Sequence, residues 1–420
     1  MSSDNTENAS TTGGASTRAF SYSGYRYFFL TGLLVSFAIQ IMSISIAWQI
    51  YDVTGNAFLL GLVGLSLFAP SLLLILVTGL ASDRFNRRMI MRICLVVELL
   101  CALGFMFFVN AKAHEVWPIF LILVTLGTAR AFWNPAVQSL APNLVPPEAL
   151  ASAITLGTAA WQSAGIIGPA LGGLLYGIGP SVPFATGAVL MVLALGFATL
   201  IPKPPQRRSE QATSLDTMLA GFRYIFSNKI VLGAISLDMF AVMMGGAVAL
   251  LPIYAKDILH AGPQELGFLR AAPGIGAILM GVVLTAFPIK DRAGRLLFIF
   301  VGLFGAFTLL FGLSTSIWLS VIALAAVGAC DMVSVIIRDT IMQLWTPEDV
   351  RGRVNAVNSV FIGASNELGE FRAGTVAALV GPVPAVVIGG IGSMVIAATW
   401  AWSFPQLREQ RTLDKKMVEG

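Results

Sequence analysis

Gly79-Leu-Ala-Ser-Asp-Arg-Phe-Asn-Arg-Arg88 packs one carboxylate and three arginines into ten residues between two long apolar runs. Ionised side chains that dense cannot lie in hydrocarbon, where each costs about 2.5–3.5 kcal/mol at the centre of a spanning helix. The stretch therefore reads as a tight turn between two membrane-crossing helices. It lies on the cytoplasmic side, where Lys and Arg accumulate.

Composition supports a polytopic membrane protein. Of the 420 residues, 56% are hydrophobic and only 11% charged, whereas about a quarter of the residues of a soluble domain are charged; mean hydropathy is +0.81. Residues 1–24 are rich in Ser, Thr, Asn and Gly with no apolar core, which predicts a disordered cytoplasmic tail and not a cleaved signal peptide. The first apolar run then serves as its own insertion signal.

Windows of roughly 20 apolar residues mark twelve spans, near 27–51, 58–79, 89–110, 117–138, 150–176 and 182–201, then 230–254, 266–288, 296–314, 317–340, 354–380 and 384–404. They divide six and six: a bundle over 25–201, a cytoplasmic linker over 202–229, a second bundle over 230–404 and a tail over 405–420. The linker opens stiff and basic with Pro202, Pro204, Pro205, Arg207 and Arg208. Leu215, Leu219, Phe222 and Phe226 then recur at helical spacing, predicting a short helix on the membrane surface.

Orientation follows from counting. Of 26 Lys and Arg, only Lys112 and Lys256 fall on the far side, and Arg130, Arg270 and Arg372 are assigned to spans; the other 21 lie in the tails, the linker and the loops on its side. A bias of 21 to 2 places both termini in the cytoplasm. These cations sit where anionic lipid headgroups are, so the pI near 9.0 needs no nucleic acid.

The two halves repeat. Asp83-Arg84 after the second span has a counterpart in Asp291-Arg292 after the eighth, Pro147-Glu148 in Pro347-Glu348, and Gly179-Pro180 in Gly381-Pro382. The order in 79–88 resembles the loop signature between the second and third helices of the major facilitator superfamily, with Asn86 standing where that signature usually has glycine. The resemblance implies an all-α membrane protein of twelve transmembrane helices in two pseudo-symmetric six-helix bundles, with substrate handled near the bilayer midplane. Asp83, with Gly79, Arg84, Arg87 and Arg88 around it, is then expected to hold a conformational gate by accepting hydrogen bonds from helix N-termini and pairing with an arginine. Ala164-Gly-Ile-Ile-Gly-Pro-Ala-Leu-Gly-Gly173 is similar to the antiporter signature of the fifth helix, with Ala164 in place of its first glycine. Gly168, Gly172 and Gly173 permit close helix approach and Pro169 bends the helix.

From about Tyr25 to Trp402 the chain resembles the bacterial branch that includes the enterobactin exporter and macrolide-efflux proteins. Leu219-Ala-Gly-Phe-Arg-Tyr, Leu266-Gly-Phe-Leu, Ala271-Ala-Pro-Gly, Thr346-Pro-Glu and Gly352-Arg-Val-Asn carry that likeness. Substrate does not transfer with it, because the branch handles chemically unlike compounds.

No GxxxxGK[ST] loop occurs, so ATP hydrolysis has no site. An ion gradient remains, and proton coupling needs an ionisable group inside the membrane. The carboxylates available are Glu98, Asp238, Asp331, Glu367 and Glu370, with Arg130 and Arg372 as possible partners. Glu367 and Glu370 are three residues apart and share a helix face; neighbouring carboxylates in low dielectric cannot both ionise cheaply. Asp238 and Asp331 are the further coupling candidates, and Glu98 reads as a buried polar contact. Overlaying the repeats sets Arg130 against Asp331, an opposite pair that would approach across a central cavity as the cytoplasmic side closes. Gln40, Arg130, Asn134, Asp238 and Asp331 are the substrate-cavity candidates, with Gln49, Gln138, Trp161 and Gln162 weaker ones. His114 and His260 are too few for a metal site. Cys94, Cys101 and Cys330 sit inside spans and indicate no disulfide framework. No catalytic constellation, cofactor or metal is indicated.

These readings point to a secondary active exporter in a bacterial inner membrane, a proton-coupled antiporter acting as a monomer on a siderophore-like or drug-like small molecule. An importer or symporter of the same fold is the alternative, and a non-transporting membrane sensor a more distant one.

Overall fold

The computed structural model describes residues 18–111, 115–203 and 215–411, without the side chains of 18, 76, 83, 215–220 and 349. The expected tail up to residue 17, Lys112, His114, the linker from Pro204 through Arg207 and Arg208 to residue 214, and the tail beyond 411 lie outside the described residues. Every regular element among the described residues is helical, and ten helices are long and apolar enough to cross a bilayer.

The first half holds α1 (Ser23–Thr54), α2 (Ala57–Leu73), α3 (Ile75–Arg84), α4 (Arg87–Asn110), α5 (Trp117–Leu140), α6 (Pro147–Ile178) and α7 (Val182–Leu200). The expected second span is thus two pieces, divided at Leu74, one turn beyond Pro70, which lies inside the first piece. The described start of the chain is more ordered than a tail reaching residue 24 implies: Arg18–Ser21 make a 3-10 turn, and the Ala19 N–H donates to the Ser152 hydroxyl at 3.4 Å.

The second half holds α8 (Leu215–Ser227), α9 (Lys229–Gly245), α10 (Pro263–Ala286), α11 (Ala293–Leu313), α12 (Ile317–Trp345), α13 (Glu348–Val380) and α14 (Pro382–Ser403). α9 stops at Gly246, and the seventh span resumes through Leu251–Ile253 and Tyr254–Ile258. The amphipathic α8 forms as its spacing demands, and part of its apolar face docks on protein. Ile225 is buried with Val354 and Val357, Phe222 meets Phe361 edge-on at 5.6 Å, and the Tyr224 hydroxyl donates to the Trp345 carbonyl.

Packing within each half repeats as the sequence does. α4 packs on α5 and α7, and α11 on α12 and α14; α3 meets α5 as α10 meets α12. Contacts divide the chain into two units, one of residues 1–45 and 69–212, the other of residues 46–68 and 213–420. The turn joining α1 to α2, at the helix ends opposite the 79–88 loop, therefore belongs with the C-terminal spans. Lys256 Nζ sits 2.6 Å from Asp52 Oδ1, and the Tyr51 hydroxyl donates to Asp257.

Candidate functional site

Within the first unit, α1, α4, α5 and α6 surround a cavity of about 630 Å³. α5 supplies Arg130, Trp133, Asn134, Val137 and Gln138, a stripe at helical spacing down one face. α1 adds Phe28 and Phe29, and α6 adds Trp161. The wall is aromatic with amide groups and a single cation, Arg130. Of the residues read from sequence, Arg130, Asn134, Gln138 and Trp161 line it; Gln40, Gln49 and Gln162 are not among the lining residues.

Gln40 instead meets the glycine-proline stretch of α6. A Cβ added at Gly168 would lie 2.5 Å from the Gln40 Cβ, and one at Gly172 would lie 2.6 Å from the Ile41 carbonyl oxygen. Only glycine lets α6 come this close to α1, so here the antiporter-like stretch acts as a packing surface.

Behind the cavity wall, Glu98 on α4 is completely buried, and neither of its carboxylate oxygens accepts a hydrogen bond. Arg130 is its electrostatic neighbour. At the loop end of the same unit, Arg87 is buried; its Nε donates to the Ser82 carbonyl at 3.3 Å and Nη1 to the Ser139 carbonyl at 2.9 Å. Asn86 caps α4, its side chain accepting from the Arg88 N–H at 3.1 Å, so the departure from the superfamily's glycine has a structural use. The Asp83 side chain lies outside the described residues; its backbone sits in the last turn of α3, with Arg84 ending that helix and Gly79 inside it.

The second unit gathers the acids. Glu367 and Glu370 on α13 both face Gly64 on α2, where an added Cβ would lie 2.5 Å from Glu367 Oε2 and 3.2 Å from Glu370 Oε2. The shared face read from their spacing is thus occupied by both groups. Arg372 is no partner to them: its Nε donates to the Met243 carbonyl at 3.0 Å and its Nη2 to the Met244 carbonyl, satisfying the free end of α9 where that helix breaks. The cation beside Glu370 is Arg270 on α10, at 3.8 Å.

Glu370, Asn366 and Asp331 share the wall of a cavity of about 180 Å³ with the α9 break at Gly245 to Val248. Asp331 also lines an adjoining cavity of about 10 Å³ with Asp238 and Ser334. Asp238 is ion-paired with Arg338, and both are buried, at 8% and 3% exposure. Arg338, a cation that the loop count assigns to the cytoplasmic side, is therefore an interior residue of α12. It stands two turns beyond Asp331 and so on the same face, a spacing that could have revealed it. Arg270 and Arg338 are the cations that the sequence pattern does not match to their acids. The proposed partners Arg130 and Asp331 each have neighbours in their own unit, Glu98 for the one and Asp238 with Arg338 for the other.

Residues 15–419 match the family described as Transmembrane secretion effector. The enterobactin exporter EntS of Escherichia coli O127:H6 is 30% identical over 91% of this chain and 89% of its own length, and that of Shigella boydii serotype 18 is 29% identical over the same shares. Among solved structures, a bacterial homologue of the human lysosomal transporter Spinster, in an inward-facing unoccupied conformation, superposes with a TM-score of 0.70 at 15% identity, covering 91% of this chain and 98% of its own. A POT family transporter in complex with 5-aminolevulinic acid gives a TM-score of 0.71 at 11% identity, covering 92% and 97%. These relatives are transporters and not enzymes. A chain of two helical halves that repeat, with an organic-sized cavity in one and acid-lined cavities in the other, belongs to the Transmembrane secretion effector family, a multi-pass branch of the major facilitator superfamily of secondary transporters.

Proposed function

We propose that this protein exports a siderophore-like or drug-like organic molecule across a bacterial inner membrane in exchange for protons, by alternating access, with both termini in the cytoplasm. The observation that carries the proposal is the run of acids in the second unit, in which Glu370 and Asp331 share one cavity while Asp331 and Asp238 share the next. Spaces of about 180 and 10 Å³ are too small for a siderophore or macrolide, yet they admit water, which needs about 10–15 Å³. Protons can therefore be relayed where the organic substrate cannot go. Glu367 and Glu370 provide the paired carboxylates at the head of this route.

Export over import is supported by the antiporter-like Ala164 to Gly173 stretch and by what the related proteins are named for. Alternating access is supported by the division of the chain into two units with repeated packing, the architecture in which one half rocks against the other.

The test uses inverted inner-membrane vesicles acidified inside by respiration. Siderophores, macrolides and cationic dyes are added in turn, and the internal pH is followed. A substrate that dissipates the gradient only in vesicles bearing this protein supports antiport. Acidification that deepens with substrate indicates symport, and no response to any compound overturns proton coupling for these classes.

A further inference from the structure

Among the described residues, Glu98 is the buried carboxylate of the first unit, and the proposed proton route does not use it. Its burial is complete and both its oxygens lack hydrogen bonds, an arrangement that costs free energy unless a charge or a proton compensates it. The surroundings leave a single compensating charge. α5, packed against α4, has Arg130 as its one charged residue, and α7, also packed on α4, has none. α1 carries no ionisable side chain between Tyr27 and Tyr51. On α4 itself the near neighbours are the thiols of Cys94 and Cys101, one turn to either side. Arg130 meanwhile faces the other way too, onto the wall of the 630 Å³ cavity beside Trp133, Asn134 and Trp161.

One arginine thus stands between a buried acid and an organic-sized aromatic chamber. We propose that this chamber binds an aromatic organic anion whose acidic group pairs with Arg130, and that Glu98 takes up a proton as the anion takes over its cation. With the cavity empty, Glu98 and Arg130 balance each other; with it filled, the anion and Arg130 balance and Glu98 is a neutral acid. The net charge of this cluster is zero in both states, which low dielectric favours. The proposal rests on the export reading, and it gives that reading a substrate class. The proton on Glu98 leaves with the anion, so the substrate crosses as its neutral equivalent. The protons that drive export belong to the carboxylates of the second unit and must outnumber it.

The test is equilibrium binding to the purified full-length protein in detergent, which requires no transport and so stands apart from the vesicle experiment. The probes are 2-naphthoate and its uncharged analogue 2-naphthamide, followed by quenching of tryptophan fluorescence and by proton uptake in weak buffer. Naphthoate is expected to bind at least tenfold more tightly than naphthamide, to carry about one proton into the protein per molecule bound, and to tighten as pH falls, by up to about tenfold per unit as one-proton linkage requires. Arg130→Gln should erase the preference for the anion. Glu98→Gln, a mimic of the protonated acid, should bind naphthoate more tightly than the parent at pH 8 and take up no proton. Equal affinity for the two probes in the parent, no binding of either, or unchanged proton uptake in Glu98→Gln overturns the proposal. The pH dependence of the parent alone decides the matter if that variant fails to fold.

Discussion

The two units repeat the same packing and fill it differently. In the first, the space between helices is about 630 Å³, walled by Phe28, Phe29, Trp133 and Trp161 with Arg130 as its one charge. In the second, the spaces along α9, α12 and α13 are about 180 and 10 Å³ and their walls hold Asp238, Asp331 and Glu370, while a larger one of about 480 Å³ lies among the charged residues at the start of α11 and after α14. Volume and charge have been separated between halves that began alike. A substrate-sized chamber can tolerate few charges, because each must be matched by the cargo or by a neighbour. A proton route needs charges and little room. On the proposed function, cargo belongs to the first unit and the coupling ion to the second, and each half of that proposal can be broken on its own.

The largest effect is expected from the acids at the head of the route. Glu370→Gln should bring accumulation of the neutral equivalent to a ratio of about one, because exchange continues but no driving proton returns through the second unit. A charge crossing about 100 mV supplies about 2.3 kcal/mol, roughly a 50-fold gradient, and that is the scale of what disappears. Counterflow of labelled against unlabelled substrate should persist, since the cargo chamber is untouched. Glu367→Gln, sharing Gly64 with Glu370, should give a weaker version of the same phenotype. Full accumulation in both variants would remove this pair from the mechanism and move the coupling role to Asp331 and Asp238.

Stability should show the next difference. Arg338→Ala leaves Asp238 buried beside Asp331 with no cation, and breaking a buried pair from one side costs about 3–5 kcal/mol. Arg130→Ala should cost clearly less, since Glu98 can take up a proton once its cation is gone and Arg130 lies on a cavity wall. Thermal unfolding in detergent reads both. The paired replacement Asp238→Leu with Arg338→Leu should restore most of the lost stability while transport stays impaired; if it restores none, Arg338 is holding something other than Asp238.

How far the chain announced all this depends on which physical signal each feature left. The long apolar runs and the charged turn at 79–88 mark helices directly, because a bilayer punishes any other arrangement. Glu367 and Glu370 share a face at a spacing of three, which is local geometry and therefore legible. The broken second and seventh spans were not, although Pro70 and the Gly245-Gly246 pair stand at or near the interruptions. Partner choice was the least legible. Arg372 is nearer in sequence to the acids but bonds the carbonyls of Met243 and Met244, while Arg270 and Arg338 reach Glu370 and Asp238 from other helices. Such pairings are set by how helices pack, and a single sequence carries no record of that. The place of Gln40 is set in the same way: its side chain is met by Gly165 and Gly168 across a helix contact.

The smallest expected difference concerns the two loops whose repetition first suggested two halves. In the first unit the loop is fastened: Arg87 is 8% exposed and donates to the Ser82 and Ser139 carbonyls, tying the start of α4 to α5. In the second, the side chains of Asp291 and Arg292 are 61% and 70% exposed and pair with each other at 3.7 Å, an arrangement worth little in water. Arg87→Ala should therefore cost about 1.5–3 kcal/mol, the range for hydrogen bonds made by a charged group, and should slow turnover because the fastening sits where α3 passes into α4. Arg292→Ala should change stability by less than about 0.5 kcal/mol, as ordinary surface substitutions do. Thermal unfolding and initial transport rates at matched expression measure both. Equal effects would mean that the loops do the same work despite their different burial. A larger effect at Arg292 would place the moving hinge in the second unit and reverse the division of labour at this end of the molecule.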